Sequence, residues 1–237
     1  MYTPAQQVAK QAFRKQFLKN NHLIIGAATL IIAAAAAYIA WDRHQTGALQ
    51  DATYARIGNA TQVLRAVLAP SNDPVAQSQA IAAAAERVDG DLAALRSTET
   101  SRILLLGAAA DTYLHTAREL LKRRAAMLML DTGVRNGITA FRDHLLNGHR
   151  AAPDWTGKAV QLKNRLEEDF REYRRAADAH AGIADGLPDA RKALAAVAPD
   201  PLLVTAAEIA ALRSSAASAA KALTLEIEAA RRLAAPR

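Results

Sequence analysis

Cysteine is absent from this 237-residue chain, which excludes disulfide frameworks, thiolate nucleophiles and cysteine-ligated metals. An oxidising compartment stays compatible with it, because a helical domain needs no disulfide to fold. Aromatic residues are scarce at 5%, and β-branched strand formers are sparse as well. Sheets, which draw on those side chains, are disfavoured. Acidic residues are missing altogether from residues 1–41. Also missing are a Gly-rich phosphate loop, a Gly-x-Ser-x-Gly nucleophile turn and an HExxH helix.

What is abundant is alanine. Apolar residues make up 51% of the chain and alanine is about half of them. Alanine has the highest helix propensity and buries little surface. The expected fold class is therefore all-α, with long helices packed closely through small side chains.

The net charge of +7 is unevenly spread. Lys10, Arg14, Lys15 and Lys19 supply +4 of it before residue 42, leaving only +3 for the rest of the chain. A nucleic-acid surface needs clustered Lys/Arg, and the best local cluster, Lys122-Arg123-Arg124, reads as a solvated helix face. No nucleic-acid partner is expected.

The run at 23–41, LIIGAATLIIAAAAAYIAW, carries no charge. At 1.5 Å per residue it covers about 29 Å, close to the hydrocarbon thickness of a bilayer. Leu23, Ile24, Ile25, Leu30, Ile31, Ile32 and Ile39 are its lipid-facing bulk, and Tyr38 and Trp41 sit where aromatic rings prefer the headgroup layer. The preceding Lys10, Arg14, Lys15 and Lys19 place the N-terminus in the cytoplasm. Three segments follow: a basic cytoplasmic tail at 1–22, a transmembrane helix at 23–41, and an exported helical domain at 42–237. In a bacterium that domain is periplasmic and the anchor lies in the inner membrane. A cleaved signal peptide spanning 1–37 is the competing reading, with 23–32 as its apolar region and Ala35-Ala36-Ala37 as a small-residue cleavage site.

Beyond the anchor, Leu49, Ile57, Ala60, Leu64 and Val67 or Leu68 recur at helical spacing, continuing the helix to Ala69. Pro70-Ser71-Asn72-Asp73-Pro74 ends it, with Asp73 as a cap for the next helix. A second helical region over 75–130 carries the stripe Val88, Leu92, Leu95, Ile103, Leu106, Ala110, Tyr113, Ala117, Leu120 and Leu128, with a kink or break near Gly90. Thr132-Gly133 and Asn136-Gly137 loosen the chain, and 147–154 forms a loop. The helix at 154–185 buries Ala159, Leu162, Leu166, Phe170, Tyr173, Ala177, His180 and Ile183, and stops at Gly186-Leu187-Pro188. A short helix at 189–197 precedes Pro199-Asp200-Pro201. The last helix, 202–234, has a near-heptad seam of Ile209, Leu212, Ala216, Ala219, Leu223, Ile227, Ala230 and Leu233. The whole reads as an extended antiparallel, coiled-coil-like bundle. Leu162, Leu166, Phe170, Tyr173, Ile209, Leu212, Ala216, Ala219, Leu223 and Ile227 form its packing seam, and its alanine layers bury little area. Part of its stability is expected from a partner chain.

Reactive constellations are not evident. His144 and His149 read as a solvated helix end, His115 as a partly buried polar residue, and His180 as a hydrogen-bonded core histidine. Glu167-Glu168-Asp169 matches Arg171 and Arg175 as i,i+4 partners. No catalytic residue, metal or cofactor is expected. The leading reading is a non-catalytic, membrane-anchored helical subunit that scaffolds an envelope complex. Its partners would be the lipid bilayer and other membrane or periplasmic subunits, or further copies of itself. A second reading is a periplasmic sensor or ligand-binding bundle, which a pocket with converging arginines would favour. It is similar in architecture alone to the front half of a chemoreceptor or sensor-kinase input domain, and lacks the returning membrane helix. A third is a tethered chaperone or client- or toxin-binding protein. The 34-residue period of tetratricopeptide repeats is not visible.

Overall fold

A computed structural model describes residues 4–69, 73–98, 100–148, 150 and 152–234, with side chains from residue 29 onward apart from 201 and 234. The described residues form five α-helices and two short 3-10 turns, with no strand among them. The helices are α1 (Pro4–Val67), α2 (Pro74–Ser97), α3 (Leu104–Asn147), α4 (Trp155–Ala195) and α5 (Ala206–Ala234). The chain divides into two compact units, Met1–Leu49 and Gln50–Arg237.

Within the first unit, Leu30, Ile31, Ile32, Tyr38, Ile39 and Trp41 are all exposed, at 52–72% of their surface. Leu23, Ile24 and Ile25, and the basic Lys10, Arg14, Lys15 and Lys19, have side chains outside the described residues. Among the described residues, no helix is long and apolar enough to cross a membrane.

The second unit is a helical bundle. The α2 helix begins where Asp73 accepts hydrogen bonds from the amides of Val75 (3.0 Å) and Ala76 (2.9 Å), with Pro74 in the first turn. This arrangement satisfies two of the donors that a helix start leaves orphaned. The apolar stripe expected at 75–130 is buried, apart from the half-buried Leu128, but it belongs to two helices and the short turn between them. The chain turns back at Thr98 and Thr100, not at Gly90, which lies in the middle of α2. Thr98 Oγ1 and Ser97 Oγ both donate to the carbonyl of Ala94, at 2.7 and 3.0 Å, so hydroxyls close the helix end. Antiparallel pairing of α2 with α3 is fixed by Ser78 Oγ, which donates to the Ala125 carbonyl at 2.9 Å, and by Arg118–Asp89 at 2.6 Å.

Two expected interruptions are helical. Gly133 and Gly137 lie within α3, where Met127, Val134, Ile138, Phe141 and Leu145 are buried on one side. A Cβ on Gly137 would stand 3.3 Å from Leu166 Cδ1, so the glycine allows α3 and α4 to approach closely. Pro188 likewise sits inside α4, exposed, while Ala184, Leu187, Ala190 and Leu194 bury the opposite side. That burial outweighs the one backbone hydrogen bond a proline removes. The last helix begins at Ala206 instead of Leu202, because Thr205 and Glu208 form a capping box. Glu208 Oε2 accepts from the Thr205 amide at 2.7 Å and Thr205 Oγ1 accepts from the Glu208 amide at 3.1 Å.

Residues 50–67 of α1 are locked to the bundle through buried Ile57, Ala60, Thr61 and Leu64 and through polar contacts to the α4–α5 connection. Tyr54 Oη donates to the Val197 carbonyl at 3.3 Å, and Arg65 Nη2 to the Leu203 carbonyl at 2.9 Å. A second cluster in the core unites α3, α4 and α5 around Val134, Phe141, Leu166, Tyr173, Leu223 and Ile227.

Candidate functional site

The seam read from the sequence turns inward. Leu166, Tyr173, Ile209, Leu212, Ala216, Leu223 and Ile227 are buried in this chain's own bundle, with Leu162, Phe170 and Ala219 partly buried against the same core. These side chains pack α3, α4 and α5 together and do not form an open face.

That core contains a polar layer. Tyr173 and His180 are seven residues apart on α4, two turns along one face, and both are 0% exposed. The contact of Gly137 with Leu166 and the hydrogen bond of His144 to Trp155 set the antiparallel register of α3 against α4. Carried along α3, this register brings Arg124 opposite the turn between Tyr173 and His180, which holds the small, buried Ala177. The α5 helix runs parallel to α3: Arg124 meets Ser215 and Arg135 meets Glu226, both 91 residues apart. Ser215 and Ala216 are thus the small α5 side chains at the Arg124 level.

Hydrogen bonding in this layer is incomplete. Arg124 Nε, Tyr173 Oη and both ring nitrogens of His180 are buried without a partner. Among the described residues the guanidinium makes a long contact, Nη1 to Ser215 Oγ at 3.5 Å. Burial, with the Arg124 charge a lesser cause, pulls His180 down from 6.5 to about 4, so the imidazole is neutral at pH 7. Burial, reinforced by Asp131, pushes the Tyr173 hydroxyl up to about 12. Burial also lowers Arg124, opposed by Tyr173 and Asp131. Asp131 itself pairs with Arg135 at 2.8 Å.

This layer corrects three readings of the sequence. Arg124 is not part of a fully solvated face: Arg123 is exposed and Lys122 reaches Glu86 and Asp89 at 3.8 and 4.0 Å, whereas Arg124 is partly buried with its Nε inside the bundle. His180 is a core histidine but has no hydrogen-bond partner. Glu167 is held by Arg231 of α5 at 2.8 Å and by Lys163 at 3.9 Å, while Arg171 donates to the Glu167 carbonyl. A helical wheel for α3 separates Arg124 from Arg123 by about 100°, the one signal that could have singled it out.

The other histidines are engaged or peripheral. His144 Nε2 donates to the Trp155 carbonyl at 2.9 Å and its ring stacks on the indole at 5.3 Å, with the Arg150 guanidinium 5.7 Å from that ring. His149 lies outside the described residues, and His115 is exposed beside Arg118. Among the described residues, no three His, Asp or Glu side chains group so as to hold a metal ion.

Among the surface grooves of the bundle, two border α4. One of about 470 Å3 between α4 and α5 has an apolar floor of Ala184, Pro188 and Ile209, with Arg191 and Arg213 at its edges. Arg213 pairs with Asp185, and Arg191 donates to the Val204 carbonyl at 2.7 Å. The other, of about 420 Å3, lies between α3 and α4 over Gly133 and Gly137 beside exposed Met129. No protein-family model matches the chain, and neither a curated protein nor a solved structure is significantly similar to it.

Proposed function

We propose that this chain is a non-catalytic, membrane-anchored helical subunit that scaffolds an envelope complex. The observation that carries the proposal is the uncovered apolar surface of α1, where Leu30, Ile31, Ile32, Tyr38, Ile39 and Trp41 face outward with no charge between them. Residues 29–41 alone cover about 20 Å, short of a bilayer core. The six preceding residues, Leu23 to Ala28, are uncharged and bring the run to about 29 Å. The cations at Lys10, Arg14, Lys15 and Lys19 favour retention of the tail in the cytoplasm and export of the bundle. Such an anchor concentrates the bundle at the membrane surface, where a rigid set of helices can hold other subunits in place.

Fusion of an exported reporter after Arg237 should be active, and fusion after Asn20 inactive; the reverse pattern overturns the topology. Mild detergent extraction followed by size-exclusion chromatography, light scattering and mass spectrometry tests the scaffold role. Stoichiometric co-elution with other membrane subunits is expected. A lone monomer or a small homo-oligomer overturns it.

The α4–α5 groove supports a second reading, a ligand-binding bundle. Its two arginines, Arg191 and Arg213, flank an apolar floor, a combination suited to a carboxylate with an apolar body. Thermal-shift screening of small carboxylates against wild type and Arg213→Ala tests it. No stabilising compound, or equal stabilisation of the variant, removes this reading.

A further inference from the structure

We infer that the polar layer between α3, α4 and α5 is an internal binding site for a small inorganic monoanion of chloride size, taken up together with a proton. Three observations carry the inference, and none depends on how the chain meets a membrane.

The first is the donor chemistry. Arg124 offers a buried Nε–H and Tyr173 a buried hydroxyl, both without an acceptor. Ser215 adds a hydroxyl that donates to its own helix at the Leu212 carbonyl, 2.8 Å away, and can rotate toward Arg124. Arginine cannot lose its proton in practice and has no acceptor atom. Arg124 is partly buried and its Nε–H lies inside the bundle, so an acceptor there, preferably an anionic one, would satisfy it. No carboxylate supplies it: Asp131, two turns along α3 from Arg124, is already engaged by Arg135 at 2.8 Å.

The second is the composition of the layer. Ala177 of α4 and Ala216 of α5 are buried at this level, and Ser215 of α5 meets the Arg124 guanidinium. Small residues on both facing helices put no bulky side chain beside the guanidinium at this level, which suits an ion of modest radius.

The third is His180. It is 0% exposed and neither ring nitrogen has a partner, so it is neither a structural donor nor a structural acceptor. Arg124 of α3 is the charged group that acts on it; the α5 side chain Ser215 is neutral, and Tyr173 of its own helix is protonated well above neutrality. Asp131 and Arg135 act on Tyr173, further along α3. Proton uptake at His180 alone would set a second cation near Arg124. With an anion between them the same uptake becomes favourable, since each ion lowers the cost of the other. By linkage, the anion must then bind more tightly as the pH falls.

The test uses the full-length protein in detergent, with thermal unfolding followed at constant ionic strength while sodium chloride replaces sodium gluconate, whose anion is much larger than chloride. Wild type should gain about 3 °C or more in Tm in a saturable manner, and the gain should be larger at pH 5.5 than at pH 8. Arg124→Gln should lose the chloride response, and His180→Asn should keep it but lose its pH dependence. Should Arg124→Gln fail to fold, the saturable, pH-dependent response of wild type remains the deciding measurement. Equal Tm values in chloride and gluconate at both pH values overturn the proposal and leave only water in the layer. So does a response that never saturates, or one that Arg124→Gln retains.

Discussion

The Tyr113 hydroxyl lies 2.7 Å from Thr61 Oγ1, joining α3 to α1 inside the bundle. Thr61 has one proton and donates it to the Leu202 carbonyl, also at 2.7 Å, so Tyr113 must be the donor to Thr61. The two bonds form a relay from α3 through α1 to the α4–α5 connection. Burial, the leading cause, raises the Tyr113 phenol above its ordinary value and keeps it protonated as a donor.

The relay predicts unequal costs at its two ends. Tyr113→Phe removes one donor and should cost about 1 kcal/mol. Thr61→Val leaves the Tyr113 O–H without its acceptor and the Leu202 carbonyl without its donor, and should cost roughly 2–3 kcal/mol. Urea unfolding of the two single variants and the double variant measures the difference. Equal costs would show that the direction of donation is wrong.

Gly148 predicts a local clash. A Cβ at this position would overlap the His144 carbonyl oxygen and stand 2.8 Å from Trp155 Nε1. Neither backbone nor the stacked indole can move without breaking the α3–α4 turn. Gly148→Ala should therefore destabilise the protein by about 2 kcal/mol and shift the emission of Trp155, read in a Trp41→Phe background. An unchanged spectrum and midpoint would refute the tight contact.

The capping box at the start of α5 predicts a conventional penalty. Thr205→Ala removes an acceptor from the Glu208 amide and should cost about 1 kcal/mol. Glu208→Gln keeps a side-chain oxygen for the Thr205 amide but loses the charge that faces Arg65 at 2.8 Å. It should cost less than Thr205→Ala, since that pair is partly exposed. Differential scanning calorimetry of both variants checks the order.

His180 predicts a pH dependence of fixed sign. Its folded value, about 4, lies below the unfolded 6.5, so the unfolded chain takes up the proton first. Stability is intact above pH 6.5, falls as the pH drops through the window down to about 4, and levels off below it. The full loss is of the order of 3 kcal/mol. In gluconate buffer, His180→Leu should flatten this part of the profile relative to wild type. A wild-type profile that is flat between pH 6.5 and 4, or unchanged by the substitution, would contradict the burial of a neutral imidazole.

Much of the bundle was legible because its pattern is periodic. Val88, Leu92 and Leu95 in α2, Leu106, Ala110 and Tyr113 in α3, and Ile209, Leu212 and Leu223 in α5 all fall at helical spacing, and all are buried. Turns were less legible. The reversal at Thr98 carries neither glycine nor proline, only hydroxyl residues that bond back to the helix. Conversely, Gly133, Gly137 and Pro188 look like breakers and are helical, because side chains distant in sequence pack across them. Nor does helical spacing show whether a stripe meets its own chain or another. The seam through Leu166, Tyr173 and Leu223 is filled by this chain's three helices.

The sequence by itself determined that the chain is helical, through its alanine content and its three- and four-residue apolar spacing, which are local properties. It also determined which end of the chain carries the uncharged apolar run and the cations before it. Only the tertiary structure decided that Arg124 turns its Nε inward at the level of Tyr173 and His180, and that neither ring nitrogen of His180 has a partner there. The reason is physical. Helix formation depends on each residue's own torsions and near neighbours, whereas burial of a charge depends on the register of three helices brought together from distant parts of the chain.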